Sequence, residues 1–280
     1  MEKILFPTDY SETANNAYRY ALHLAHKQGA ELYVLHVYDP PVISGRIPPN
    51  MIDNVYKHYN FEELSQIEEH HSLLKQIQNE MNKQNVKVYL KVKPGLLKHE
   101  IKTAIAKYDI DYIVMGTDGS TGYYKKFIGT NTLNTIDNVK IPVLSIPKEA
   151  KFKKVNSVIH LTGFNLDEEK TTALISAGAK ERKLKVKCVH LKRSHFKEYE
   201  DRVNEWKEKY ENEWFSFHLF SNEKSVFEGI SHYLKDEEFD LVSIAHRHRR
   251  FFEKLFSNSL TLQLGKDLAV PLLVYRKESQ

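Results

Sequence analysis

The order of strand-like and helix-like segments in residues 1–148 recurs in residues 149–280, which restricts the chain to a duplicated α/β architecture. Particular residues fix the offset. Phe6-Pro7-Thr8-Asp9 and His160-Leu161-Thr162-Gly163 lie 154 positions apart, as do Leu35-His36-Val37 and Val189-His190-Leu191. Farther along, Val114-Met115-Gly116 and Ser243-Ile244-Ala245 lie 129 apart, so 25 residues are missing from the second copy's crossover. Lys148, Lys151, Lys153 and Lys154 mark a charged link between the copies. A chain of 280 residues is expected to carry two cores of ordinary size.

Within the first copy, Lys3–Pro7 reads as a strand, and Ser11 can cap a helix whose first turn carries Glu12. Ala14, Ala17, Ala21, Leu24 and Ala25 recur at helical spacing up to Gly29, a C-terminal stop. Glu31–Val37 is the next strand. A loop with Pro40, Pro41, Gly45, Pro48 and Pro49 follows, then a long polar helix from about Val55 to Gln84, on which His70-His71 is expected to be exposed. Val86–Val92 is a strand, Pro94-Gly95 opens a helix through Tyr108, Asp111–Met115 is a strand, Thr130–Asn138 a helix and Ile141–Ile146 a strand. Strands separated by helices predict right-handed crossovers and a parallel sheet covered on both faces. The second copy repeats the order: strands at Asn156–Leu161, Lys185–Leu191, Trp214–Phe220, Leu241–Ile244 and Pro271–Tyr275, with helices at Asp167–Arg182 and Val226–Leu234. The expected fold is therefore two tandem doubly wound α/β domains with five-stranded parallel sheets, residues 1–148 and 149–280.

Net charge is +4, from 41 basic and 37 acidic residues well mixed along the chain, unlike the concentrated basic stripe of a nucleic-acid binder. The cluster His246-Arg247-His248-Arg249-Arg250 is short and reads as a solvated loop. No apolar run approaches the roughly 18 residues of a membrane helix. The start, Met1 to Pro7, lacks a basic segment followed by an apolar core, so no secretory leader is expected. A lone Cys188 cannot form an intramolecular disulfide; it fits a reducing compartment, the cytoplasm, and core packing in an apolar strand.

Chemistry concentrates after the strand Asp111–Met115. Gly116-Thr117-Asp118-Gly119 is followed by nine residues, then by Gly129-Thr130 at a helix start. Glycine at a strand's carboxyl end lets backbone amides approach a phosphate, and a helix N-terminus favours an anion. Open α/β sheets bind ligands at this edge.

The spacing G-x2-G-x9-G-[S/T] resembles the ATP-binding signature of the universal stress protein family, matched by Gly116, Gly119, Gly129 and Thr130. Pro7-Thr8-Asp9-Tyr10-Ser11 resembles that family's opening P-x-D-x-S, Leu35-His36-Val37 its second strand, and Ile141-Pro142-Val143-Leu144 its last. The resemblance covers residues 1–148 and implies the family's adenine nucleotide alpha hydrolase-like fold, with ATP as ligand and Mg²⁺ bridging its phosphate oxygens. It further implies that Asp9, in the Pro7-Thr8-Asp9 turn, accepts from the ribose hydroxyls, and that Val37 pairs its backbone with adenine. Met115 would then pack near the base or ribose, and Gly116, Gly119, Gly129, Thr130 and Asn131 would cradle the phosphates. One residue departs from the pattern. Asp118 stands where family members more often carry His, Lys or Arg, an acid that repels phosphate unless it faces solvent or the metal; Lys125 and Lys126 are close enough in sequence to offset it.

In the second copy the glycine positions carry Ala245, His248 and Asn258, only Ser259 is retained, and Gly163 replaces Asp9, so no nucleotide is expected there. Asp9 could also serve merely as a helix cap. Three functions follow. The first is a nucleotide-dependent stress-response switch with no catalytic residues of its own. The second is a slow ATPase or other adenine-nucleotide enzyme, for which the chain lacks SGGxDS, HxGH and Walker motifs. The third is a ligand-free scaffold whose copies pack through their last strands. Tandem copies supply the pair of domains that single-domain relatives obtain by dimerising; further assembly into a homodimer, and protein partners, are left open by the sequence.

Overall fold

The computed structural model of the protein describes residues 1–39, 67–117, 130–165, 168–192, 200–221, 226–246 and 270–276. The chain divides into two compact units, Met1–Met115 and Gly116–Gln280.

In the first unit the elements are β1 (Lys3–Thr8), α1 (Glu12–Gln28), β2 (Glu31–Tyr38), α2 (67–80), β3 (Val88–Pro94), α3 (Leu97–Tyr108) and β4 (Tyr112–Gly116). The strands run in parallel in the order β3-β2-β1-β4. Ile4, Leu5 and Phe6 of the central strand are fully buried, as a strand covered on both faces requires. Against them α1 turns Ala14, Ala17, Tyr18, Ala21, Leu22 and Ala25, whose three- and four-residue spacing makes one apolar stripe. The Ser11 hydroxyl accepts the Ala14 N–H at 3.2 Å and so caps the helix. At its other end Gly29, at φ +64°, donates its N–H to the Ala25 carbonyl. β3 continues through Pro94, and Gly95 turns at φ +128°, so α3 starts at Leu97, two residues beyond the predicted opening.

The second unit holds α4 (Thr130–Asn138), β5 (Val143–Ile146), β6 (Ser157–Leu161), α5 (Glu169–Arg182), β7 (Lys185–Lys192), α6 (Glu200–Tyr210), β8 (Phe215–Ser221), α7 (Val226–Asp236), β9 (Leu241–His246) and β10 (Leu272–Arg276). Its strand order is β5-β10-β9-β6-β7-β8. The described pairs are parallel except the last strands of the two copies, β5 and β10, which pair antiparallel with Leu273 opposite Leu144. No helix lies between Leu191 and Trp214 in the sequence reading, yet α6 fills that stretch. Trp206 sits on it, 1% exposed, and meets Phe164 at 5.4 Å; Phe215 and Phe217 of β8 join the same core. Cys188 is wholly buried in β7, and burial raises its thiol pKa far above the reactive range.

Local geometry recurs at the offset read from the sequence. His36 donates from Nδ1 to the Thr8 carbonyl at 2.9 Å, and His190 to that of Thr162 at 2.8 Å. Tyr10 and Phe164 both sit in the left-handed region, at φ +59° and +53°, each donating its N–H to the Thr hydroxyl two residues before it. Asp111 accepts the Lys3 N–H at 2.7 Å, and Asp240 accepts the Ser157 N–H at 3.0 Å.

Candidate functional site

Five of the anticipated residues lie at the carboxyl ends of three neighbouring strands of the first unit. Pro7 and Thr8 end β1 and are buried; Asp9 follows and is exposed. The left-handed Tyr10 turns the chain sharply, and Asp9 closes the turn by accepting the Ser11 N–H on Oδ1 at 3.0 Å. The capping role falls to Ser11 instead, and Asp9 engages one carboxylate oxygen, Oδ1, in the turn that precedes the helix. The register of β1 with β2 stops at Thr8↔His36, one residue before the half-buried Val37, whose other neighbour is Lys93 of β3. On the other side of β1, Met115 is 5% exposed near the end of β4, where continuation of the Leu5↔Ile113 register sets it level with Pro7.

The remaining anticipated residues belong to the second unit. The Gly116 carbonyl accepts the Thr132 hydroxyl at 2.8 Å. Thr130 and Asn131 open α4 and are exposed, at the kind of terminus that attracts anions. Gly119 and Gly129 lie outside the described residues, together with Asp118, Lys125, Lys126 and the proline loop. So do Arg247, His248, Arg249, Arg250, Asn258 and Ser259.

Two features escaped the sequence reading. His70 and His71, expected to be exposed, are half-buried against Tyr10: the His70 ring stacks on it at 4.2 Å and 10°, and His71 meets it edge-on at 6.4 Å. His36 approaches the same phenol at 4.7 Å. Tertiary packing overrides a polar helix face here, and burial, together with the neighbouring His36 and His70, lowers the His71 pKa. Burial also raises the Tyr10 phenol to about 12.

The second surprise is Glu168. Offset 154 aligns it with Ala14 of the first copy. It is 5% exposed, and its carboxylate accepts the Thr162 hydroxyl, the Gly163 N–H and the Asn165 side-chain amide, each at 2.8 Å. The turn that presents Asp9 in the first copy is thus filled by an internal carboxylate in the second. A Cβ at Gly163 would stand 2.5 Å from Asn165 Nδ2 and 3.3 Å from Glu168 Oε1, so no side chain fits without breaking that arrangement. Among the described residues no group of three or more His, Cys, Asp or Glu could hold a metal ion, and no helix is long and apolar enough to cross a membrane.

The model of the universal stress protein family matches residues 1–147. Universal stress protein MJ0531 of Methanocaldococcus jannaschii is 30% identical over 152 residues, which cover 54% of this chain and 84% of the relative. Universal stress protein MJ0577 of the same organism is 29% identical over 157 residues, covering 53% and 96%. In three dimensions the likeness of fold reaches over 99% of the chain and 97% of a universal stress protein from Archaeoglobus fulgidus, at TM-score 0.61 and 16% identity.

Proposed function

The chain belongs to the universal stress protein family, and from that premise we propose that it is a nucleotide-dependent stress-response switch whose first half alone holds an adenine nucleotide, ATP with Mg²⁺. The observation that carries this reading is the contrast between two equivalent turns. Asp9 stands exposed at the carboxyl end of β1 with one carboxylate oxygen to offer. Its counterpart is Gly163, a residue without a side chain, beside a buried glutamate. Asp9 would accept from the ribose and Val37 would pair with the base. Gly116, Gly119, Gly129, Thr130 and Asn131 would hold the phosphates, and the metal would screen their charge from Asp118.

Two domains, residues 1–148 and 149–280, fit the repeated geometry, with the antiparallel pairing of β5 and β10 joining the copies through their last strands. Such a protein works in the cytoplasm and acts by presenting a ligand-dependent surface to protein partners, not by turnover. A ligand shifts such an equilibrium only by its differential affinity for the two states.

Titration calorimetry of the full chain with ATP and Mg²⁺ tests the reading. One nucleotide per chain is expected, and Gly116→Val should weaken it at least about tenfold by putting a branched side chain where amides approach phosphate. Two nucleotides per chain, or none, would overturn the assignment to the first half, and rapid release of ADP would favour an ATPase.

A further inference from the structure

We propose that the second half carries an anion site already filled by the protein itself, with the Glu168 carboxylate as its built-in ligand. Three donors of different kinds converge on that one group: a hydroxyl (Thr162), a backbone amide (Gly163) and a side-chain amide (Asn165). Oε2 takes the first two and Oε1 the third, the pattern by which a site satisfies a carboxylate or phosphate oxygen pair. The donors stand at the carboxyl end of β6 and in the turn that follows, the edge where open α/β sheets receive ligands.

Glu168 is anchored to fill this place. Its N–H donates to the Asn165 carbonyl at 2.8 Å, and its own carbonyl accepts the hydroxyl of the fully buried Thr172 at 3.0 Å. It stands at the N-cap of α5, yet its side chain caps none of that helix's amides and reaches back to the turn instead. Capping alone therefore does not explain the carboxylate. Arg202 steadies the same turn by donating to the Phe164 carbonyl at 2.8 Å. The first half carries Ala14 at the aligned position, a residue without a carboxylate. The second half thus keeps the conformation of an occupied site at all times, and external anions find its donors engaged. Nothing in this assignment requires the first half to hold a nucleotide.

The test is chemical rescue in the full chain. Glu168→Ala removes the carboxylate and leaves space for a small anion. Amide exchange by NMR at Gly163, whose N–H bonds to Glu168, should quicken about tenfold or more, as loss of a hydrogen bond to a charged acceptor implies. Acetate at matched ionic strength should slow it again and raise the thermal midpoint, whereas acetamide, of similar size and no charge, should do neither. Unchanged exchange at Gly163, equal rescue by acetamide, or no rescue by acetate would each overturn the assignment. If Glu168→Ala does not fold, Glu168→Gln decides: it preserves volume and an acceptor oxygen for Thr162 and Gly163 but removes the charge, so the weaker neutral bond should still let Gly163 exchange faster, and unchanged exchange refutes the proposal.

Discussion

Acid should weaken the second half through one histidine. In its sheet β6 and β9 set His160 beside Ser243, with Nδ1 2.9 Å from Oγ. The corresponding residues of the first half are Phe6 and Val114. His160 is wholly buried, its Nε2 has no hydrogen-bond partner among the described residues, and burial pushes its pKa down to about 4. The unfolded imidazole binds a proton below about 6.5 while the native one refuses it, so stability falls as pH drops from about 6.5 to about 4 and levels off once the native state is protonated too. The full loss is about 3 kcal/mol, of which about 2 kcal/mol falls between pH 7 and pH 5.

Replacing the pair by its first-half counterparts, His160→Phe with Ser243→Val, removes this proton linkage. Trp206 and Trp214 are the two tryptophans of the chain and both lie in the second half, so urea unfolding followed by tryptophan fluorescence reports on that half. Burial also lowers the pKa of His190 and His218, but both remain in the variant, so the comparison isolates His160. The stability lost between pH 7 and pH 5 should shrink by about 2 kcal/mol in the variant. At pH 7 the variant should be at least as stable as the parent, because an unpartnered buried polar atom costs about 1–3 kcal/mol. An unchanged loss on acidification would refute the reasoning.

Lys183 ends α5 in the left-handed region at φ +51°, the position that Gly29 fills in the first half, so Lys183→Gly should stabilise the second half by about 1 kcal/mol in the same fluorescence assay. Asp9→Asn keeps an acceptor for the Ser11 N–H but loses the charge; ATP affinity by calorimetry should fall about tenfold with an unchanged thermal midpoint. Gly163→Ala should cost about 1 kcal/mol by urea unfolding, since the new methyl displaces the Asn165 amide from Glu168.

Much of the fold was legible because it is locally encoded. Ser11 and Gly29 bracket α1 as their side-chain chemistry dictates, and α4 runs from Thr130 to Asn138 as read. What escaped is held by distant contacts. α6 buries only Val203 and Trp206 among Glu and Lys, a stripe too narrow to read as a helix, and its anchor is an aromatic core built from Phe164 and Phe217. His70 and His71 sit on a polar stretch, and only the three-dimensional approach of Tyr10 buries them. Of the candidate site, Asp9 was named by resemblance to the family's opening motif, whereas the sheet edge was readable from the order of strands and helices. Glu168 was not, because nothing local marks a glutamate near a helix start as the occupant of a turn five residues earlier.

The two halves also separate what belongs to the fold from what belongs to the ligand. The imidazole-to-carbonyl bond of His36 and the left-handed aromatic at Tyr10 would invite a functional reading if seen alone. Both recur at His190 and Phe164, in a half whose turn has no aspartate and is closed by its own glutamate. A feature kept where the aspartate is replaced by glycine is explained by the turn itself: the imidazole satisfies a carbonyl at the end of a central strand, and the aromatic anchors a reversal of the chain. What the site must explain is the remainder, an exposed carboxylate where the other half has glycine, and glycine at the end of β4 where it has Ala245. Substitutions at His36 should therefore lower stability before they touch ligand selectivity, and those at Asp9 and Gly116 should do the reverse.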